Sequence, residues 1–149
     1  EQKRVFGMIP GLQNAEIVRY GVMHRNTFLK SPGFLLADYS VKSRPELFFA
    51  GQMCGVERYM ESASSGMLAG RNAAAHLLGK ERLILPRETM MGALADYVAN
   101  SPTKDFQPMG ANFGVLPPIE PHIRDKRSRY AALSQRGLAM VSEILSNQE

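Results

Sequence analysis

The stretch LFFAGQMCGVERYMESASSGMLAGRNAA, residues 47–74, restricts the fold more than any other part of the chain. Leu47-Phe48-Phe49-Ala50 is a short apolar run between Pro45 and Gly51, the pattern of a strand buried on both faces. Gly51 and Gly55 bracket a tight loop, and the residues from about Tyr59 to Leu78 read as a helix rich in Ser, Ala and Gly. Gly79 stops that helix from the C′ position. Gly66 and Gly70 lie inside it and cost about 1 kcal/mol each relative to alanine, so close packing against a sheet or a ligand is the expected compensation. A strand that ends in Gly-x-x-x-Gly and feeds a helix points unpaired N–H groups and a positive helix pole at its front. A pyrophosphate or the electron-rich edge of a reduced flavin suits that environment. Spacing of this kind is common in helix–sheet turns, so at this level a purely structural turn and a ligand cradle both stand.

Around this unit the chain divides in two. Residues 1–45 carry turn signals at Pro10-Gly11, Asn14, Ser31-Pro32-Gly33 and Arg44-Pro45, with short strands expected at Ile17-Val18 and Tyr20–Met23. Beyond Leu83-Ile84-Leu85-Pro86, a second helix is expected over about Glu88 to Ala99, ended by Asn100-Ser101-Pro102. The loop TKDFQPMGANFGVLPPIEPH comes next, and at roughly 20 residues it is longer than a compact domain carries without a purpose. A last amphipathic helix spans about Asp125 to Ser146, with Tyr130, Leu133, Leu138, Val141, Ile144 and Leu145 at helical spacing. No internal repeat or low-complexity tract is present.

Composition narrows the class. The 149 residues are 44% hydrophobic and 21% charged, as in a globular domain of ordinary core size. No apolar run approaches the roughly 18–20 residues that span a bilayer, and no signal-peptide pattern opens the chain, so a cytoplasmic protein is expected. Cys54 is the single cysteine, and His24, His76 and His122 lie far apart, so neither a disulfide nor a zinc or iron site is expected. The net charge of +4 is uneven: Arg124, Lys126, Arg127 and Arg129 cluster around Asp125. Such a cluster is commonly a solvated helix face, with a phosphate-binding surface the alternative. The chain starts at Glu1, and EQKRVFGMIPGL lacks a usual run-in, so a fragment or excised domain is expected.

The residues of the glycine unit resemble the second FAD motif of two-dinucleotide-domain flavoproteins, in the branch whose strand ends Ala-Gly-Gln before Gly-x-x-x-Tyr. Within that branch the chain is similar to the folate- and FAD-dependent tRNA (uracil-5-)-methyltransferases. The likeness runs through RVFGMIPGLQNAEIVRYGVMHRNTF at 4–28, PELFFAGQMCGVERYMESASSGMLAGRNAA at 45–74, LPRET at 85–89 and NSPTKDFQPMGANFGVLPP at 100–118. It implies an α/β fold, with this chain the C-terminal fragment of an FAD-binding, Rossmann-like flavoprotein domain with C-terminal helices. Residues 1–79 would complete the FAD-binding domain and 80–149 would form its helical extension. It also implies FAD, methylenetetrahydrofolate and NADH or NADPH as cofactors. The partners would be tRNA, modified at a T-loop uridine, and the remainder of the same polypeptide.

On these positions the resemblance places Gly51 and Gln52 at the ribityl chain or pyrophosphate. Gly55, Val56 and Glu57 would present backbone to the isoalloxazine, and Tyr59 would stand beside the ring. Gln52 occupies a position where many related flavoproteins have Asp. His24, Arg25 and Asn26 fall on the folate side, with Arg124, Lys126, Arg127 and Arg129 facing nucleic acid. No catalytic residue is assigned to this chain, because the family's catalytic cysteines belong to sequence N-terminal to it; Cys54 is read as a small packing residue. Arg58 stands where the family has glycine and Cys54 where threonine is usual, which leaves the loop conformation and its ring contact to be decided. No G-x-G-x-x-G follows a strand here, so the adenosine half-site is absent from these residues. Two other readings remain: the sister flavoprotein that installs carboxymethylaminomethyl groups on wobble uridine, and a non-catalytic RNA-binding fragment. ESASSG at 61–66 and MHRNTF at 23–28 separate the methyltransferase from the sister.

Overall fold

A computed structural model describes residues 1–18 and 26–147. Along the chain, helix α1 (Gln2–Gly7) precedes strands β1 (Ser40–Val41) and β2 (Arg44–Phe48). A 3-10 turn (Gly51–Cys54) leads into helix α2 (Tyr59–Leu77), and helix α3 (Met90–Asn100) follows. A second 3-10 turn (Phe113–Val115) precedes helix α4 (Lys126–Ser146). This is a small α/β arrangement whose described strands form one antiparallel pair, with Ser40 opposite Phe48 and Val41 opposite Arg44 across a bulge. Among the described residues no helix is long and apolar enough to cross a membrane, and no three His, Cys, Asp or Glu side chains cluster as metal ligands.

The core lies where the β1 hairpin, the 51–56 turn and the inner faces of α2 and α3 meet. Leu35, Tyr39, Val41, Cys54, Val56, Leu68, Ala69, Ala95 and Val98 form one buried cluster. Hydrogen bonds replace a wider sheet in tying its parts together. The Asn72 carboxamide works like a missing strand edge: it accepts the Leu83 N–H at 2.7 Å and donates to the Leu83 carbonyl at 2.9 Å. Arg82 donates to Asp38 Oδ2 at 2.8 Å, to Ser40 Oγ at 3.0 Å, to the Pro45 carbonyl at 2.7 Å and to His76 Nδ1 at 2.9 Å. Burial alone would push the Asp38 carboxyl upward, but the hydrogen bonds from Ser40 and Arg82 outweigh it and hold the group below the usual carboxylate range.

Several expectations are corrected. The strand expected at 47–50, buried on both faces, is the exposed β2: one ladder partner covers one edge, and Leu47 is 42% exposed. The apolar run reads correctly as extended, yet burial on both faces needs flanking layers that the described residues do not supply. No strand forms at Ile17-Val18, and Tyr20–Met23 lies outside the described residues. A six-residue helix, α1, stands where only turns were expected, since six residues show too little of a 3.6-residue period to reveal it. Among the described residues nothing packs closely over Gly66 or Gly70, since an added Cβ at either position meets nothing within 4 Å. The other helices come close to expectation. Thr89 caps α3 by accepting the Gly92 N–H, and Asp125 caps α4 by accepting the Ser128 N–H.

Candidate cofactor-binding turn

The turn begins where the extended backbone of Ala50 meets Gly51, whose φ is +70°. The 3-10 turn closes as the Gly55 N–H bonds the Gln52 carbonyl at 3.1 Å, with Gly55 itself left-handed at φ +96°. Glycine is required there, since a Cβ on Gly55 would stand 2.4 Å from the Phe106 ring. The small side chains of α2 seat the turn from below: Ser65 Oγ accepts the Gly51 N–H at 2.9 Å and donates to the Ser62 carbonyl.

Arg58 adopts φ 76° and ψ 170°, a conformation nearly restricted to glycine, so the arginine here carries a glycine-type backbone. It is the N-cap residue of α2 and makes no side-chain capping bond, so its side chain satisfies none of the first N–H groups of α2. Tyr59, 94% exposed, stands beside that helix end with its ring open to solvent.

Not every main-chain amide of the turn faces out. Those of Gly51, Gly55 and Glu57 are bonded within the chain, the last to the Met109 carbonyl at 3.0 Å. Val56 is buried and forms a parallel bridge with Met109. The turn therefore presents the positive pole of α2, the exposed Tyr59 ring and the exposed Gln52 side chain. Gln52 is exposed and accepts from Asn26 Nδ2 at 3.0 Å, so one residue assigned to the cofactor and one assigned to the folate side meet at the rim. His24 and Arg25 lie outside the described residues.

Cys54 sits as a buried packing residue. Burial pushes its thiol up to about 11, and Sγ donates to the Gly51 carbonyl. A protonated, enclosed thiol packs; it does not attack.

The basic cluster begins α4. Lys126 and Arg127 are exposed on its first turn and make no salt bridge among the described residues. Arg124 is exposed just ahead of the cap, and Arg129 turns back to donate to the Ile123 and Arg124 carbonyls. Tyr130 stacks on Phe113 with ring centroids 4.3 Å apart, and Lys126 Nζ sits 5.6 Å from the Tyr130 centroid. Cations at the positive pole of a helix repel it, an arrangement that polyanion binding relieves.

Sequence reading missed Phe106, Met109, Glu61 and Ser65 as parts of the turn. FQPM-x-x-NFG marked the loop as unusual, but nothing in a spacing of fifty residues tells which surface that loop returns to. The apolar stripe of α4 packs only in part, with Leu133 buried while Leu138 and Leu145 stay exposed.

Comparison with known proteins places this geometry in context. The family described as Glucose inhibited division protein A matches residues 1–81. A methylenetetrahydrofolate--tRNA-(uracil-5-)-methyltransferase, TrmFO, of Lactiplantibacillus plantarum is 59% identical over 93% of this chain and 32% of its own length. The proteins of the same name from Enterococcus faecalis and Acetivibrio thermocellus are 54% and 56% identical, over 99% and 98% of this chain and 34% of their own lengths. The chain thus spans about a third of the length of the curated relatives it matches.

Proposed function

From the membership of this chain in the Glucose inhibited division protein A family, we propose that it forms the flavin-side turn and the tRNA-facing edge of an FAD- and folate-dependent tRNA (uracil-5-)-methyltransferase. The observation that carries this reading is the turn at 51–59: closed behind by Phe106 and Met109, open in front at an uncapped helix pole beside an exposed tyrosine. The names of relatives more than half identical over nearly the whole chain favour the methyltransferase over the wobble-uridine sister.

The residues fit the isoalloxazine end of FAD. The α2 pole, uncapped by the Arg58 side chain, favours the electron-rich N1/C2-carbonyl edge. Tyr59 offers a face for stacking, and Gln52 with Asn26 offers a donor and an acceptor at the rim. In this reading residues 1–79 complete a Rossmann-like FAD-binding domain, residues 80–149 extend it, and the adenosine half is held by the rest of the longer polypeptide. A bound flavin supplies the carrier for the one-carbon unit of methylenetetrahydrofolate and, with NADH or NADPH as reductant, the electrons that make it a methyl group. This chain's own residues bind, orient and exclude water. In this reading, activation of uracil C6 by a thiolate would fall to cysteines of the longer polypeptide, while Cys54 is buried with its thiol pushed up to about 11. Arg124, Lys126, Arg127 and Arg129 would meet tRNA phosphates while the T-loop uridine reaches the ring, in the cytoplasm.

The test is turnover by the full-length polypeptide on an unmodified tRNA transcript. 5-Methyluridine should form in the T loop only when methylenetetrahydrofolate and a reduced nicotinamide are both supplied, and the protein should be yellow. Methylation from S-adenosylmethionine, or modification at the wobble position, overturns the assignment. Exchanging Lys126 and Arg127 for alanine should weaken tRNA binding and lower its salt slope by about two; an unchanged slope removes the helix from the interface.

A further inference from the structure

Glu61 is a buried carboxylate, 6% exposed, in the first turn of α2. It makes no salt bridge among the described residues; its Oε1 accepts the backbone N–H of Ala111 at 2.7 Å, fifty residues along the chain. The same return segment is bonded to the turn twice more. The Met109 N–H donates to the Gly55 carbonyl at 3.0 Å, and the Glu57 N–H donates to the Met109 carbonyl at 3.0 Å. Phe106 fills the space that a Cβ on Gly55 would need. Arg58, with its glycine-type backbone, lies between these anchors: the Met109 pair comes just before it and Glu61 three residues after. A residue with a Cβ persists in that region only when its surroundings over-determine it, and here bonds from one distant segment flank it on both sides.

We infer that residues 106–111 are a clamp that holds the 55–58 turn in its ligand-ready shape, and that Glu61 is its latch, a positioning residue. What the clamp prepares the turn for rests on the flavin reading; the clamp itself rests on the hydrogen bonds. A carboxylate-to-amide bond is charge-assisted and about twice as strong as a neutral one, and burial keeps water from competing for it. Relief of the Arg58 conformation should therefore make the latch dispensable.

The full-length polypeptide carrying Glu61→Ala, Glu61→Gln, Arg58→Gly or the pair Glu61→Ala/Arg58→Gly provides the test. Amide hydrogen exchange at Glu57, Met109 and Ala111 and FAD affinity from flavin fluorescence are the readouts. Glu61→Ala should speed exchange at Ala111 and Glu57 by about tenfold or more and weaken FAD by about tenfold. Glu61→Gln, which keeps an acceptor oxygen, should recover most of both. The double variant should regain FAD affinity to within about threefold of the parent, a rescue that a merely structural glutamate does not give. Should Glu61→Ala fail to fold, Ala111→Pro removes the donor from the other side and should reproduce the faster exchange at Glu57 and Met109 and the weaker FAD binding. Unchanged exchange at Glu57 and Met109 in both variants overturns the clamp, and faster exchange with undiminished FAD affinity overturns the positioning role. The exchange readout decides the clamp even in a protein that binds no FAD, so the clamp and the cofactor reading fail separately.

Discussion

Arg58 concentrates the tension between sequence and structure in one residue. Its side chain is soluble and exposed, but its backbone at φ 76° and ψ 170° lies in a region that costs a non-glycine residue about 1–3 kcal/mol. Replacing it with glycine removes that cost and restores some freedom to the unfolded chain, so Arg58→Gly should raise stability by about 1 kcal/mol. Urea denaturation measures this, and a loss of stability would show that the turn is not strained there. Gly55 is the opposite case. Gly55→Ala must hold a methyl 2.4 Å from the Phe106 ring at a left-handed φ, so it should cost more than about 2 kcal/mol. Cys54 is the residue whose chemistry the fold decides. With its thiol near 11, only roughly one molecule in a thousand is thiolate at pH 8. Alkylation by iodoacetamide should therefore wait for unfolding; rapid alkylation of the native protein would mean that the thiol is open.

At the scale of elements, α3 depends on what precedes it. Thr89 Oγ1 accepts the Gly92 N–H at 3.0 Å and donates to the Pro86 carbonyl at 2.8 Å. Thr89→Ala loses the cap and should lower stability by about 1–2 kcal/mol, a fall in Tm of roughly 3–6 °C for a chain of this size. Calorimetry on the two proteins checks it. Gly92 belongs to the same junction: a Cβ there would lie 2.1 Å from the Pro86 carbonyl oxygen, and backbone cannot yield as a side-chain tip can. The LPRET segment therefore joins two elements at a spacing only a glycine permits. α2 differs in kind. Its inner face is held by Leu68, Ala69 and the Asn72 bonds to Leu83, while Met60, Gly66, Met67, Gly70 and Leu77 line an uncovered outer face.

For the whole molecule, electrostatics and uncovered surface dominate. The Asp38–Arg82 pair ties the β1 hairpin to the segment after α2. The folded-state pKa of Asp38 is depressed, so its contribution is complete above the ordinary carboxylate range near pH 4 and fades as the pH falls through the lower folded value. Arg82→Ala strands a buried carboxylate and should cost about 3 kcal/mol at pH 7, with a gap to the parent that narrows below pH 4; a gap that does not change with pH would remove Asp38 from the account. Leu47, Tyr59, Met60, Met67, Leu77 and Leu78 are all exposed large apolar residues. Met60, Met67 and Leu77 share the outer face of α2, the kind of apolar surface that favours association. The isolated chain should self-associate in sedimentation experiments, and Met60→Lys with Met67→Lys should reduce it.

Local chemistry was legible from the residues alone. Gly51, Gly55 and Gly79 mark turns because only glycine enters left-handed backbone cheaply, and all three have positive φ. The α2, α3 and α4 helices follow from residue pattern and from the stop signals at Gly79 and Asn100-Ser101-Pro102, which act within one turn of chain; that Thr89 and Asp125 are caps came only from the structure. Only the tertiary structure decided what lies against what. β2 is an exposed edge and not a buried centre, Cys54 is sealed, and Phe106, Met109 and Ala111 return to brace a turn fifty residues away. Propensity and capping are sums over neighbours in sequence, whereas burial and long-range hydrogen bonds depend on which segments the folded chain brings together in space.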